Sequence, residues 1–473
     1  MTEQINVDVA IIGAGTGGMY ALREVRRAKQ SFVLIDSGPL GTTCARVGCM
    51  PSKVALHIAE YWNSQKEFPR YGISGAEHLR LDSAVAWQAL REQRDQFANG
   101  AAGNARQAAG EHLLMGRARF LAPTVLEVKT ASGTQQVNAK SVIIAVGSRP
   151  VMPGFLQPFS EHCITTDAFF EMRELPKSIG ILGLGAIGLE MGLALARLGV
   201  EVHGADMAAT VGGISDPEVS QVALAEFAKD MNLYLGAPAE LAKTDQGVLL
   251  KAGDKAVQVD KVLVALGRRP NTDQLNLAGA GFDLDERGNP LFNPNTLQVG
   301  DHPVFIVGDS NGYRPLMHEA ADEGAMAGYN AAQTTPVAFK RKTALAIAFT
   351  NPDVISVGAR FDQLSQDDIL IGTAYSQANG RSRVISDRNG ILRVYADKQS
   401  GKLLGASMLG VRAEHVAQLL ALAIEREETA HSLLQMPFYH PVVEEIIQSA
   451  MQDIARKIPA AAGLPFGLVL ADA

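Results

Sequence analysis

Cysteine, tryptophan and long basic runs are scarce in this sequence. Only three cysteines, Cys44, Cys49 and Cys163, occur among 473 residues. Three thiols cannot build a disulfide framework or a four-thiolate zinc or iron–sulfur centre, so no metal is expected. The longest basic cluster is Lys340-Arg341-Lys342, which reads as a solvated surface tract. Lys and Arg total 43 against 50 Asp and Glu, for a net charge of −7. Nucleic acid is therefore excluded as a main partner, because phosphate binding needs clustered positive charge. No membrane span is expected either: the apolar stretch 460–471 is interrupted by Gly463, Pro465 and Gly467. Met1-Thr2-Glu3-Gln4 has no positive leader region, which points to the cytoplasm. In that reducing compartment a disulfide is more often catalytic than structural.

What the chain does have is glycine, 46 residues of it, and a 47% hydrophobic content. Both suit a globular α/β protein with tight turns, and the length suggests about three domains at ~150 residues each. Val9-Ala10-Ile11-Ile12 reads as a buried strand running into Gly13, Gly15 and Gly18, with a helix over 19–28. That G-x-G-x-x-G spacing allows a tight turn, close approach of a pyrophosphate, and close helix–strand packing. The next strand ends at Asp36, placed to hold a ribose hydroxyl. The pattern recurs at Gly183, Gly185, Gly188 and Asp206, each 170 residues on (13 to 183, 36 to 206). One copy is a weak signal; two in register predict two dinucleotide-binding domains. Residues 201–215 contain no Lys or Arg, so Asp206 would repel a 2′-phosphate and the second nucleotide is expected to be NAD.

Cys44 and Cys49 stand five positions apart, just after the first acid. Pro51 suits the first position of a following helix, which puts Cys49 near a helix N-terminus with Lys53 one turn on. Both features favour a reactive thiolate. Cys163, in His162-Cys163-Ile164-Thr165, reads as an inert buried thiol. The stretches 139–150 and 258–270 repeat one theme, a strand and then Gly-x-Arg-Pro or Gly-Arg-Arg-Pro, and each is expected to close a nucleotide domain. A strand follows at 303–309. From about 345 the chain mixes short strands (384–395, 403–409) with helices (412–426, 441–457), an α+β unit.

Gly41-Thr42-Thr43-Cys44-Ala45-Arg46-Val47-Gly48-Cys49-Met50-Pro51-Ser52-Lys53 resembles the active-site signature of the FAD-dependent pyridine nucleotide–disulfide oxidoreductases, nearest to their dihydrolipoamide dehydrogenase branch. The resemblance runs essentially end to end. It implies an FAD-binding domain over 1–150, an NAD-binding domain over 151–270, a segment 271–344 completing the FAD site, and an α+β dimerisation domain over 345–473. Gly13, Gly15, Gly18 and Asp36 would hold the FAD adenosine and pyrophosphate. Gly116, Gly147, Gly267 and the Met317–His318 backbone would fall on nucleotide-contacting segments, and Asp309 would bond the ribityl chain. Lys53 and Glu190 match the family's buried ion pair beside the flavin. His440 and Glu445, in Tyr439-His440-Pro441-Val442-Val443-Glu444-Glu445, resemble its His–Glu element, which reaches the cysteines of the other subunit in an obligate homodimer.

The activity implied is oxidation of dihydrolipoamide, or of a lipoyl-bearing protein, by NAD through FAD and a Cys44–Cys49 disulfide. Cys49 would lie nearer the flavin and Cys44 would exchange with substrate. The alternatives are NADH-dependent reduction of another small or protein disulfide, or a non-enzymatic flavin-binding scaffold. The sequence departs from the family at Thr42 (usually Gly), Phe438 (usually a second His), Asp353 (usually Glu) and Glu444 (often small and polar), which bears on the substrate entrance.

Overall fold

Apolar runs rich in Val and Ile become the buried parallel strands of two sheets, the first of them mixed. The structure, a computed structural model, describes residues 3–458 apart from 246 and 387, together with 465–471. In the first sheet Glu3–Ile12 lies between Phe32–Asp36 and Gly133–Ile144, parallel to both. Leu113–Ala122 extends one side, and the hairpin strand Val125–Thr130 joins it back to Gly133–Ile144. Val304–Ile306 pairs with the other edge of Gly133–Ile144, so the chain returns to the first sheet after building the second. The helices Thr16–Arg27 and Met317–Ala331 pack together on this sheet, with Gly324 and Gly328 against the backbone of Gly17 and Ala21.

The second sheet is parallel throughout. Its order is Asn232–Leu235, Glu201–Asp206, Ser178–Leu182, Lys261–Val264, Cys163–Ile164, and the helix Ala186–Arg197 follows its glycine turn. The C-terminal part is a five-stranded antiparallel sheet covered by the helices Ala413–Glu425 and Glu445–Ala455. This is the α/β architecture of two dinucleotide-binding units plus an α+β unit. The strands Ser148–Pro150 and Arg268–Pro270, from the two Gly-x-Arg-Pro turns, pair antiparallel and tie the first two units together.

Several sequence expectations are corrected. Residues 384–395 are not one strand: a helix Gly380–Ile385, capped by the Asn379 side chain accepting from Ser382 N at 2.8 Å, precedes the strand Ile391–Asp397. The helix expected from Pro51 starts earlier, at Cys49, with Gly48 as its N-cap. The helix expected from Pro441 starts later, at Glu445, because the Glu445 carboxylate folds back to accept from Val442 N at 3.0 Å and holds 440–444 as a turn. His440 is therefore not the N-cap, which is Glu444. The Lys340-Arg341-Lys342 tract is not merely a solvated surface: Arg341 reaches Glu319 at 2.8 Å and Glu323 at 2.6 Å, and its side chain is only 11% exposed. Acids on a neighbouring helix, distant in sequence, draw it in. Of the apolar stretch 460–471, residues 460–464 lie outside the described residues, and Leu468, Val469 and Leu470 are exposed.

Asp353 opens the second strand of the C-terminal sheet and is buried beside Glu414. Burial first, and hydrogen bonding to Glu414 second, push its carboxyl up to about 8. An acid held protonated in the fold binds more protons folded than unfolded, so its contribution to stability falls as pH rises from the ordinary carboxylate range toward 8. Asp353→Asn removes that dependence. Its melting temperature relative to the parent should climb as the buffer moves from about pH 5 to about pH 8, and a difference independent of pH would refute the assignment.

Candidate active site

The two fingerprints fold alike because the same contacts demand glycine in each. At Gly13 the φ is +111° and a Cβ would stand 2.2 Å from Ala145 O; at Gly183 the φ is +91° and a Cβ would stand 2.5 Å from Ala265 O. A Cβ at Gly18 or Gly188 would sit 1.9 Å from the carbonyl of Gly13 or Gly183. Gly15 and Gly185 are different: a Cβ there meets nothing within 4 Å, so the bare backbone leaves an open cradle at each helix N-terminus. Neither helix has an acid in its first turn or a side-chain cap, which leaves N–H groups and the positive dipole end for an anion. Asp36 Oδ2 accepts from Ala14 N at 2.7 Å, and Asp206 Oδ2 accepts from Leu184 N at 2.6 Å. Each acid therefore also clamps its own glycine loop, a role additional to the ribose contact expected from sequence.

A cavity of about 470 Å³ opens where the three units meet. Gly15, Cys44, Cys49, Lys53, Gly147, Glu190, Asp309, Met317 and His318 line it. Gly13, Gly18, Asp36, Gly267 and, of the second fingerprint, Gly183, Gly185, Gly188 and Asp206 do not line it, although Ala186 and Ile187 between those glycines do. Gly116 does not line it either, and a Cβ there would strike Lys129 O at 2.7 Å, so packing of adjacent strands accounts for that glycine. His440 and Glu445 also stand outside it. They form a pair of their own, His440 Nδ1 to Glu445 Oε1 at 2.9 Å, with the His440 side chain 75% exposed. Glu444 makes no such bond to His440 among the described residues, while Phe438 packs on the C-terminal core.

Cys44 lies in the short helix Thr43–Val47 and Cys49 at the first position of Cys49–Asn63. Thr42, at φ +59°, caps the first of these, its hydroxyl accepting from Ala45 N at 3.1 Å. A β-branched residue at positive φ is strained by roughly 1–3 kcal/mol, and the cap offsets part of that. Both thiols are free and hydrogen-bonded to each other. That bond splits them. The Cys44 S–H donating to it, with Lys53 nearby, holds the Cys49 thiol down at about 7 against the opposing effect of burial. The same bond, together with burial, pushes the Cys44 thiol far above its ordinary value. Cys44 is thus the larger cause of the Cys49 thiolate, ahead of the Lys53 charge. Cys163 is buried, and burial raises its thiol.

Lys53 Nζ bonds both oxygens of Glu190 at 2.8 Å, joining a helix of the first unit to one of the second. The third unit closes the group: Phe349 N donates to Glu190 Oε1 at 3.0 Å, and Lys53 Nζ lies 4.5 Å from the centre of the Phe349 ring. Across the cavity Ser148 Oγ donates to Asp309 Oδ2 at 2.6 Å and itself accepts from Arg268 Nε at 2.8 Å. Phe349, Ser148 and Arg268 were not singled out from sequence. The repeated Gly-x-Arg-Pro turns carried a signal for the last two.

The family model described as pyridine nucleotide-disulphide oxidoreductase matches residues 7–324, and the model of its dimerisation domain matches 345–451. The chain belongs to the pyridine nucleotide-disulphide oxidoreductases. Dihydrolipoyl dehydrogenase of Bacillus subtilis is 27% identical over 458 residues, 95% of this chain and 96% of that one. The Staphylococcus aureus enzyme of the same name is 29% identical over 465 residues, 95% of this chain and 96% of its own. Among solved structures, the HOCl-induced flavoprotein disulfide reductase RclA of Escherichia coli in its Cu(II) complex superposes with a TM-score of 0.82 at 22% identity, covering 96% and 99% of the chains. LpdA of Mycobacterium tuberculosis superposes with a TM-score of 0.83 at 22% identity, covering 94% and 99%. These superpositions speak for the fold.

A pyridine nucleotide-disulphide oxidoreductase is a flavoprotein that works with FAD and a nicotinamide nucleotide. The residues present fit the dinucleotide: an open glycine cradle at a helix N-terminus free of acids, continuous with the cysteine cavity. Among the described residues no His, Cys, Asp and Glu cluster suits a metal, and no helix is long and apolar enough to cross a membrane.

Lys53→Met removes a cation that lowers the Cys49 thiol and leaves the buried Glu190 carboxylate without its partner. In the dithiol protein, alkylation of Cys49 followed by mass spectrometry should titrate near 7 for the parent and at higher pH for the variant. The variant should also lose on the order of 3 kcal/mol of stability. An unmoved alkylation profile would refute the role given to Lys53.

Proposed function

We propose that the protein is an NAD-dependent dihydrolipoyl dehydrogenase, acting as a homodimer on dihydrolipoamide or a lipoyl-bearing protein. The observation that carries this is the pair of adjacent thiols, Cys44 and Cys49, lining one cavity with the Lys53–Glu190 ion pair. The names of the curated relatives support the lipoyl substrate. Asp206, at the end of its strand with no Lys or Arg over 201–215, supports NAD over NADP.

In the reaction a substrate thiolate attacks Cys44 of the Cys44–Cys49 disulfide. The sulfur–sulfur bond breaks and Cys49 leaves with the electron pair; its low thiol pKa of about 7 makes it the better leaving group. The second substrate thiol then attacks the mixed disulfide at the substrate sulfur. Substrate leaves as the cyclic disulfide and Cys44 departs as a thiolate, which needs a proton because its thiol pKa is raised. His440 takes the proton from the attacking thiol and returns it to Cys44, with Glu445 fixing the ring through the 2.9 Å bond to Nδ1. FAD, held by the cavity that Gly15, Lys53, Glu190 and Asp309 line, would supply two-electron redox chemistry between the dithiol and a nicotinamide. Lys53 and Glu190 place a fixed, internally neutralised charge pair beside Cys49.

An exposed His440–Glu445 pair outside its own chain's cavity suits service to a partner subunit, and the residues matched by the dimerisation model include both.

Two experiments test this reading. Purified protein should oxidise dihydrolipoamide with NAD and turn over oxidised glutathione with NADPH far more slowly; preference for the second couple would overturn the assignment. Cys44→Ser and His440→Gln should each abolish turnover, yet a heterodimer of the two variants should regain it at one of its two sites. Recovery absent from a verified heterodimer would refute the shared site.

A further inference from the structure

We propose that Arg341 and Glu323 are positioning residues of the flavin site, through which a basic strap at 340–343 holds the turn that presents Asp309. This goes beyond the substrate assignment and does not depend on it.

The turn Gly308–Ser310 follows the last strand of the first sheet. Gly308 has φ +63°, and the turn's backbone needs an external acceptor. Glu323 supplies it. This carboxylate is completely buried on the helix Met317–Ala331, and its Oε2 accepts from Gly308 N at 2.6 Å and from Asn311 Nδ2 at 2.8 Å. Its other oxygen accepts from Arg341 Nη2 at 2.6 Å, and the same nitrogen reaches Glu319 Oε2 at 2.8 Å. Three donors around one buried carboxyl fit its ionised form. Arg341 alone among them carries the charge that makes burial of that form tolerable.

The strap is held at both ends. Lys342 Nζ bonds Asp322 Oδ1 at 2.8 Å on the same helix. On the other side Thr343 N and Oγ1 donate to Glu425 Oε2 at 2.8 and 2.7 Å, and Lys340 lies 3.4 Å from Glu425 Oε1. Glu425 ends the helix Ala413–Glu425 of the C-terminal unit. A continuous line of bonds therefore runs from that unit through the strap and Glu323 to the backbone beside Asp309.

Burial pushes the Glu323 carboxyl up, while Arg341 and the two N–H donors pull it down. The other groups around it are Glu319 on its own helix, Arg314, which pairs with Glu319 at 3.0 Å, Asp309 on the turn, and Tyr313 beneath Arg341. The helix Thr16–Arg27 packs behind with Gly17, Tyr20 and Ala21. Protonation of Glu323 weakens its hold on the turn, so flavin retention falls as pH falls. Without Arg341 the carboxyl rises further and that loss moves toward neutral pH.

The test is the rate at which the flavoprotein releases FAD, read by recovery of free-flavin fluorescence across a pH series. Arg341→Met should release FAD about tenfold faster than the parent, the value of one charge-assisted hydrogen bond, with its acid acceleration shifted to higher pH. Arg341→Lys should restore most of the retention. Glu323→Gln, which keeps an acceptor for Gly308 N, should speed release without the pH dependence. Glu319→Gln removes the second partner of Arg341 but nothing from the turn, and should stay close to the parent. Should Arg341→Met fail to fold, Arg341→Lys and Glu323→Gln decide the matter. Release from Arg341→Met and Glu323→Gln at the parent's rate, or raised in Glu319→Gln as much as in them by one factor at every pH, would overturn the proposal.

Discussion

A buried carboxylate sits where three units of the chain converge, and the cavity depends on its being neutralised there. Glu190 is 5% exposed on a helix of the second unit; its charge is met by Lys53 from the first and by the Phe349 N–H from the third. An unpaired carboxylate at that depth would be costly enough to drive the units apart or to draw in a proton. The pair is retained at the point where Cys49 needs a nearby cation and an unchanging field. Stability of the junction and part of the acidity of the thiol thus involve the same ammonium group.

The duplicated nucleotide units show how one local solution serves twice. In each, a tight glycine turn, an open cradle at the middle glycine and a strand-end aspartate clamping the loop recur with nearly equal distances, 2.7 Å for Asp36 and 2.6 Å for Asp206. The clamp rigidifies the loop and leaves further lone pairs on each carboxylate. The two units differ in what they add: the first gains the return strand Val304–Ile306 and the Asp309 turn, while the second carries Glu190 on its counterpart of the helix Thr16–Arg27.

Electrostatics divides the cysteine pair before any substrate arrives. The S–H donated by Cys44 pulls the Cys49 thiol down and, together with burial, pushes the Cys44 thiol up, so one shared contact differentiates the two. The His440–Glu445 couple stands outside the cavity of its own chain, with the His440 side chain exposed.

How much was legible in the chain follows from the range of each interaction. Local rules carried the glycine fingerprints, the strand-end acids and the cysteine spacing; in the fingerprints a Cβ 1.9 Å from a carbonyl five residues back is forbidden whatever the rest of the protein does. Helix ends were less legible. Glu445 bonding back to Val442 delays one helix, and Gly48 as N-cap advances another, where proline position alone suggested otherwise. The pairing of Arg341 with Glu319 and Glu323, the contribution of Phe349 to Glu190, and the Ser148–Asp309 contact are invisible in sequence, since they join residues from different elements whose approach is set by packing. Sequence by itself determined which chemistry the chain is equipped for, because that is written in short-range steric and redox motifs. Only the tertiary structure decided which charges meet, which thiol holds the proton and which way His440 faces, because those depend on distances between units that no local pattern encodes.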